Sequence, residues 1–262
     1  MGKEIIKYLV LFFAPLAGGL LVYVIPKGKH THYKLLMVFA GSYLFSITVT
    51  HILPELYEMQ EDVRLIGVYV LAGFFLQQIL EYFTSGVEHG HLPASAHDDH
   101  EGHHHHHHHT HEGHTVSAVV LLIALCIHAF LEGGMLTQPA EVASAYNLHA
   151  VLLGITLHRV PAAFALVAVL RAQLPSGKSA FYYLILFSLA APAGLLLSNF
   201  LTTHHILEAE GLVYLYALVS GNFLYISTTI VFESSPEHRF NAKKLLVAVA
   251  GATLALMAEM VG

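Results

Sequence analysis

Eight apolar stretches of about twenty residues recur along this chain: Ile5–Ile25, Leu35–Leu53, Val63–Phe83, Val116–Leu136, Leu148–Leu170, Ala180–Phe200, Leu212–Phe232 and Leu245–Val261. At about 1.5 Å of rise per residue, a helix of that length covers the roughly 30 Å hydrocarbon core of a bilayer. This constrains the fold because a backbone in lipid must satisfy its own hydrogen bonds, which leaves helices or a closed barrel. Unbroken apolar runs, without the alternation of barrel strands, select helices. Composition agrees: 55% of residues are hydrophobic, 11% are charged and mean hydropathy is +0.61, whereas a soluble domain carries about 25% charged residues. The expected fold is an all-α polytopic membrane protein with eight transmembrane helices. The first run is too long for the apolar part of a typical signal peptide and reads as a span. The single Cys126 excludes a disulfide framework and a cysteine-based zinc site. The formal charge of −6 comes largely from polar loops and gives no case for a nucleic-acid partner.

Three parts follow from this reading. Residues 1–83 carry spans one to three, residues 84–115 form a polar connection, and residues 116–262 carry spans four to eight, as one membrane domain overall. The connection contains HDDHEGHHHHHHHTHEGH, with thirteen histidines between His89 and His114. Neutral imidazole is the commonest metal ligand, and His-rich tracts read as metal binding. The expected loop ligands are His97, His100, His103, His104, His105, His106, His107, His108, His109, His111 and His114. Polar, low-complexity sequence cannot bury enough surface to fold alone, so the loop is expected to be disordered.

Orientation follows from Lys and Arg in short loops. Lys27, Lys29, Lys34, Arg171, Lys178, Arg239, Lys243 and Lys244 lie on one side, against Lys3, Lys7 and Arg64 on the other. The first side is expected to be cytoplasmic, with the His-rich loop there and both termini outside. We place the chain in a bacterial inner membrane. Span two, GSYLFSITVTHILPE, and span seven, GNFLYISTTIVFESSPE, share a Gly-polar-aromatic-Leu-aromatic start and a Pro-Glu end. They run in opposite directions, as an inverted repeat of spans one to three and six to eight requires.

Ionisable groups inside a span cost several kcal/mol and default to a functional reading. Span four carries CIHAFLEGGML, in which His128 and Glu132 are one turn apart and share a face. Span five carries LHRVPAAFAL, with His158, Arg159 and Pro161. Two imidazoles and a carboxylate from facing helices suit a zinc-like divalent ion. A lone buried histidine is more often a hydrogen-bonded core residue, and Glu132 with Arg159 could be a plain ion pair. Pro161 lacks an N–H and clashes with the Leu157 carbonyl, so the helix is expected to bend beside His158, and the conjunction of all three ligands with that kink and a His-rich loop favours metal. His51 and Glu55 at the outer end of span two are entrance candidates, and Glu233, Glu237 and His238 at the inner end of span seven are exit candidates. His204 and His205 read as solvated loop residues. Gln77, Gln78 and Glu81 receive no role.

These features resemble the ZIP (zinc-regulated, iron-regulated transporter-like) family over essentially the whole chain. The family's span-four pattern, His-Asn-x-x-Glu/Asp-Gly, falls on His128, Ala129, Glu132 and Gly133. Its span-five pattern, His-Glu/Asn-x-Pro-x-Glu, falls on His158, Arg159, Pro161 and Ala163. HILPE and GNFLY also look like the family's versions. The family often builds a two-metal centre bridged by acidic residues, but here Ala129, Arg159 and Ala163 replace those ligands. The resemblance therefore implies one ion, on His128, Glu132 and His158, with Arg159 a fixed cation substituting for the second. It implies a transporter, not an enzyme, that carries zinc or another divalent metal into the cytoplasm by alternating access. The partners are the metal ions and membrane lipid, with a homodimer left open. Two rivals stand beside it: an intramembrane zinc-dependent hydrolase, which would need a further general base, and a metal sensor that does not transport.

Overall fold

The computed structural model describes residues 2–24, 30–59, 62–84, 118–137, 147–174, 176–233 and 242–261. Every regular element among them is helical. They are α1 (Gly2–Leu20, continued by a 3₁₀ turn, Leu21–Tyr23), α2 (His30–Ile47), a π turn (Thr48–Ile52), α3 (Leu53–Met59), α4 (Val63–Thr84), α5 (Ala118–Gly134), α6 (Leu148–Gln173), α7 (Gly177–Thr203), α8 (Ala209–Glu233) and α9 (Ala242–Val261). Each expected span coincides with one of these elements, α2 and α3 together making the second. Among the described residues, six segments are long and apolar enough to cross a membrane, and α5 is a shorter apolar helix of 17 residues. The protein is an all-α polytopic membrane protein. The His-rich connection, Glu237 and His238 lie outside the described residues.

Span two differs from its expected end at Leu53: it continues through Pro54 to Met59. Proline has no N–H, and its ring collides with the carbonyl four residues back, here that of Thr50. The π turn Thr48–Ile52 sits over that carbonyl and widens the helix where the clash would fall. Likewise α6 runs unbroken through Pro161, and Pro15 and Pro192 lie inside α1 and α7. In a bundle buried in lipid, neighbouring helices and side chains satisfy the backbone that proline frees.

Four helix pairs make the most extensive contacts: α1 with α6, α5 with α7, α2 with α9, and α4 with α8. Exchanging spans one and six, two and seven, three and eight, and four and five converts the first pair into the second and the third into the fourth. The packing therefore follows the inverted repeat read from spans two and seven. The close approaches follow it too. A Cβ on Gly194 of α7 would lie 1.9 Å from the Phe130 carbonyl oxygen of α5, and one on Gly18 of α1 would lie 2.5 Å from the Val160 oxygen of α6. Phe130 and Val160 each stand two residues after a metal-candidate histidine. Only a residue without a side chain lets these backbones meet.

Two groups result. One holds α1, α5, α6 and α7; the other holds α2, α3, α4, α8 and α9. Three tyrosine hydroxyls of the second group donate to carbonyls of the first: Tyr33 to Pro161 (3.3 Å), Tyr43 to Ala150 (2.9 Å) and Tyr216 to Thr137. Lys7, expected at the outer flank, is instead buried, and its Nζ donates to the Leu136 carbonyl just past α5.

Candidate metal centre

The i, i+4 spacing of His128 and Glu132 on α5 sets their side chains on one face, and the structure places His128 Nε2 3.0 Å from Glu132 Oε1. From α6, His158 meets them edge to face, its ring centroid 5.9 Å from that of His128 with the planes 86° apart. One donor atom from each of the three lies within 4.8 Å of the other two. Modest side-chain rotation would close such a set onto one ion at the roughly 2.0–2.2 Å that imidazole nitrogen and carboxylate oxygen adopt on zinc.

All three groups are withdrawn from the surface, at 3%, 0% and 1% exposure for His128, Glu132 and His158. A carboxylate taken out of water loses its hydration, and the interior must replace it with charge or hydrogen bonds. Glu132 Oε2 accepts no hydrogen bond among the described residues. A buried carboxylate oxygen with an open coordination position is what a divalent cation would take up. Among the described residues, no other group of three or more His, Cys, Asp or Glu side chains is arranged this way.

Arg159 is also inside, at 1% exposure, so its guanidinium does not snorkel to an interface. Its Nη2 donates to the Phe187 carbonyl at 3.0 Å, and its Cζ sits 4.9 Å from the Phe187 ring centre. The cation is thus held between α6 and α7, where its charge interacts with that of Glu132. Phe187 carried no signal in the sequence: a phenylalanine in an apolar span looks like any packing residue, and a carbonyl has no letter.

Ala129 and Ala163 are both fully buried. The helical face of His158 continues through the residue four positions on, which is Ala162. Ala163 is turned away by roughly another 100°. The exchange that relates His128 to His158 likewise relates Glu132 to Ala162. The centre is the asymmetric half of a symmetric design, with a carboxylate on one helix only.

Among the described residues, His51, Glu55, His204 and His205 do not join this group. His51 lies in the π turn, where its Nε2 accepts from the Asn147 backbone N–H (2.9 Å) and its Nδ1 lies 3.6 Å from Glu259 Oε1. Asn147 caps α6 through its side-chain oxygen, so His51 and Glu259 meet the start of the helix that carries His158. Glu55 is half-buried on α3. Glu233 is the last residue of α8. His204 and His205 are exposed beyond α7, and His205 takes a left-handed φ of 55° in the turn.

A family model described as ZIP zinc transporter matches residues 83–259, well over half of the chain.

Proposed function

Because the chain belongs to the ZIP zinc transporter family, whose members transport divalent metal ions and are not enzymes, we propose that it carries zinc into the cytoplasm through a single-ion centre. The observation that supports this most is the buried set of His128, Glu132 and His158 on two facing helices. Neutral imidazole and carboxylate suit zinc and admit other divalent transition metals. The ion exchanges part of its water shell for these three ligands at mid-membrane and recovers it on release.

The two helix groups supply the moving parts. All three ligands sit in the group of α1, α5, α6 and α7, tied internally by glycine-seated backbone contacts. The other group touches it through fewer contacts and through tyrosine hydroxyl-to-carbonyl bonds. Neutral hydrogen bonds of this kind contribute roughly 0.5–1.5 kcal/mol each and can exchange partners during a rocking motion. Entry passes the end of span two that bears His51 and Glu55. Release follows the end of α8 toward Glu233, Glu237 and His238, with the His-rich loop on the cytoplasmic side and both termini outside.

Radiozinc uptake into proteoliposomes tests the reading. Saturable uptake, competed by other divalent metals, is expected from the purified chain. Metal binding with no flux would favour a sensor, and turnover of a peptide or ester bond would favour a hydrolase.

A further inference from the structure

A pocket of about 340 Å³ opens between the end of α1 and the start of α7, lined by Leu20, Tyr23, Gly177, Lys178, Phe181 and Tyr182. The Tyr23 hydroxyl donates to the Gly177 carbonyl (3.3 Å) and joins the two helices across it. Arg171, near the end of α6, lays its guanidinium over the Tyr23 ring with Cζ 4.6 Å from the centre. Arg171 and Lys178 are exposed, as are Tyr23 (45%), Phe181 (38%) and Tyr182 (66%). No carboxylate is among the described residues that line the pocket. Its depth is fixed by the span ends: Tyr23 closes the first span, Gly177 opens the sixth, and Arg171 lies two residues before the fifth finishes. That is headgroup level, on the side richer in Lys and Arg.

We propose that this pocket binds an anionic phospholipid of the cytoplasmic leaflet. Arg171 and Lys178 face its phosphate, the Tyr23 and Tyr182 hydroxyls reach the headgroup, and Leu20 and Phe181 pack against the first acyl carbons. Charge complementarity selects the occupant. Lys178 in the lining and Arg171 over the Tyr23 ring, with no carboxylate among the described lining residues, favour a headgroup of net negative charge over a zwitterion, and basic pockets between spans on this side of a membrane are where such lipids gather. The aromatic side chains are of the kind that settles at the interface. Because α1, α6 and α7 all belong to the metal-bearing group, the lipid ties their ends together and travels with that group.

The chain contains no tryptophan, so Tyr182→Trp, or Phe181→Trp should the first disturb folding, supplies a lone fluorescent reporter in the full-length protein. The reporter protein is reconstituted in vesicles containing brominated phosphatidylglycerol or brominated phosphatidylcholine at equal mole fraction, and quenching is compared. Phosphatidylglycerol should be preferred severalfold. Arg171→Gln with Lys178→Gln should remove that preference, at about fivefold per cation, while Lys243→Gln with Lys244→Gln should keep it. Equal quenching by the two lipids overturns the proposal. So does an equal loss in both double variants, which would show a general surface charge effect. Displacement of the preference by inorganic phosphate at constant ionic strength would reveal a free-anion site and also overturns it. The readout is lipid contact, so it stands apart from whether zinc is transported.

Discussion

Arg159 is the residue whose burial asks most of the protein. A guanidinium keeps its charge at any working pH, and 1% exposure leaves it almost no water. The Phe187 carbonyl and ring hold it, and Glu132 answers its charge from the neighbouring helix. A second dication at that place would meet a fixed positive charge, so the core should hold one ion. Metal counting on protein lacking the His-rich loop should therefore give one per chain, rising toward two in Arg159→Glu. Two core ions in the unsubstituted, loop-deleted protein would end the idea of a built-in cation. The three ligands make a sharper expectation. His128→Ala, Glu132→Ala or His158→Ala should each nearly abolish uptake at matched membrane expression, since two remaining ligands cannot offset the ion's lost hydration. His204→Ala and His205→Ala, on an exposed turn beyond α7, should transport like the parent. Near-normal flux in Glu132→Ala would place the site elsewhere.

At the scale of helices, the centre depends on how closely α5 and α7 approach. A Cβ on Gly133 would lie 1.9 Å from the Ala191 carbonyl oxygen, and the reciprocal contact of Gly194 with Phe130 is equally short. Gly133 directly follows Glu132, so pushing these backbones apart also displaces a ligand. Gly133→Val is expected to lower stability by roughly 1–3 kcal/mol, the ordinary cost of overpacking, and to weaken zinc binding. Gly67 of α4 has nothing within 4 Å of its added Cβ, so Gly67→Ala should be neutral or stabilise by up to about 1 kcal/mol. Thermal unfolding in detergent, with and without zinc, compares the two. If Gly133→Val melts with the parent, the glycine contact does not hold the helices where the structure puts them.

For the whole molecule, the proposed centre and the His-rich sequence are expected to act separately. The core groups three candidate ligands on packed helices; the His-rich sequence holds thirteen histidines, expected to act as many interchangeable sites. Deleting Glu88 to His114 should leave substantial zinc uptake while removing its response to zinc preloaded inside the vesicles. Complete loss of flux in a correctly inserted deletion would make the loop part of the pathway itself.

Spans, fold class and the grouping of His128, Glu132 and His158 could be read from the sequence because each rests on a local rule. About twenty apolar residues set a bilayer-spanning helix. An i, i+4 pair shares a face, and an ionisable group is costly at mid-membrane. Even the inverted repeat showed in spans two and seven, since glycines and aromatics at matched positions are letters in the chain. What the letters could not supply was distance between helices. That His158 comes edge to face with His128 and that Arg159 turns inward onto Phe187 both depend on where α5, α6 and α7 cross. Lys7 and Tyr216 show the same limit: one reads as a loop charge and the other carries no signal in its span, yet the fold brings each to a backbone carbonyl near the end of α5. Pro54 set the remaining surprise. Its clash is local, but whether a helix stops there or widens into a π turn was decided by neighbours that only the packed bundle provides.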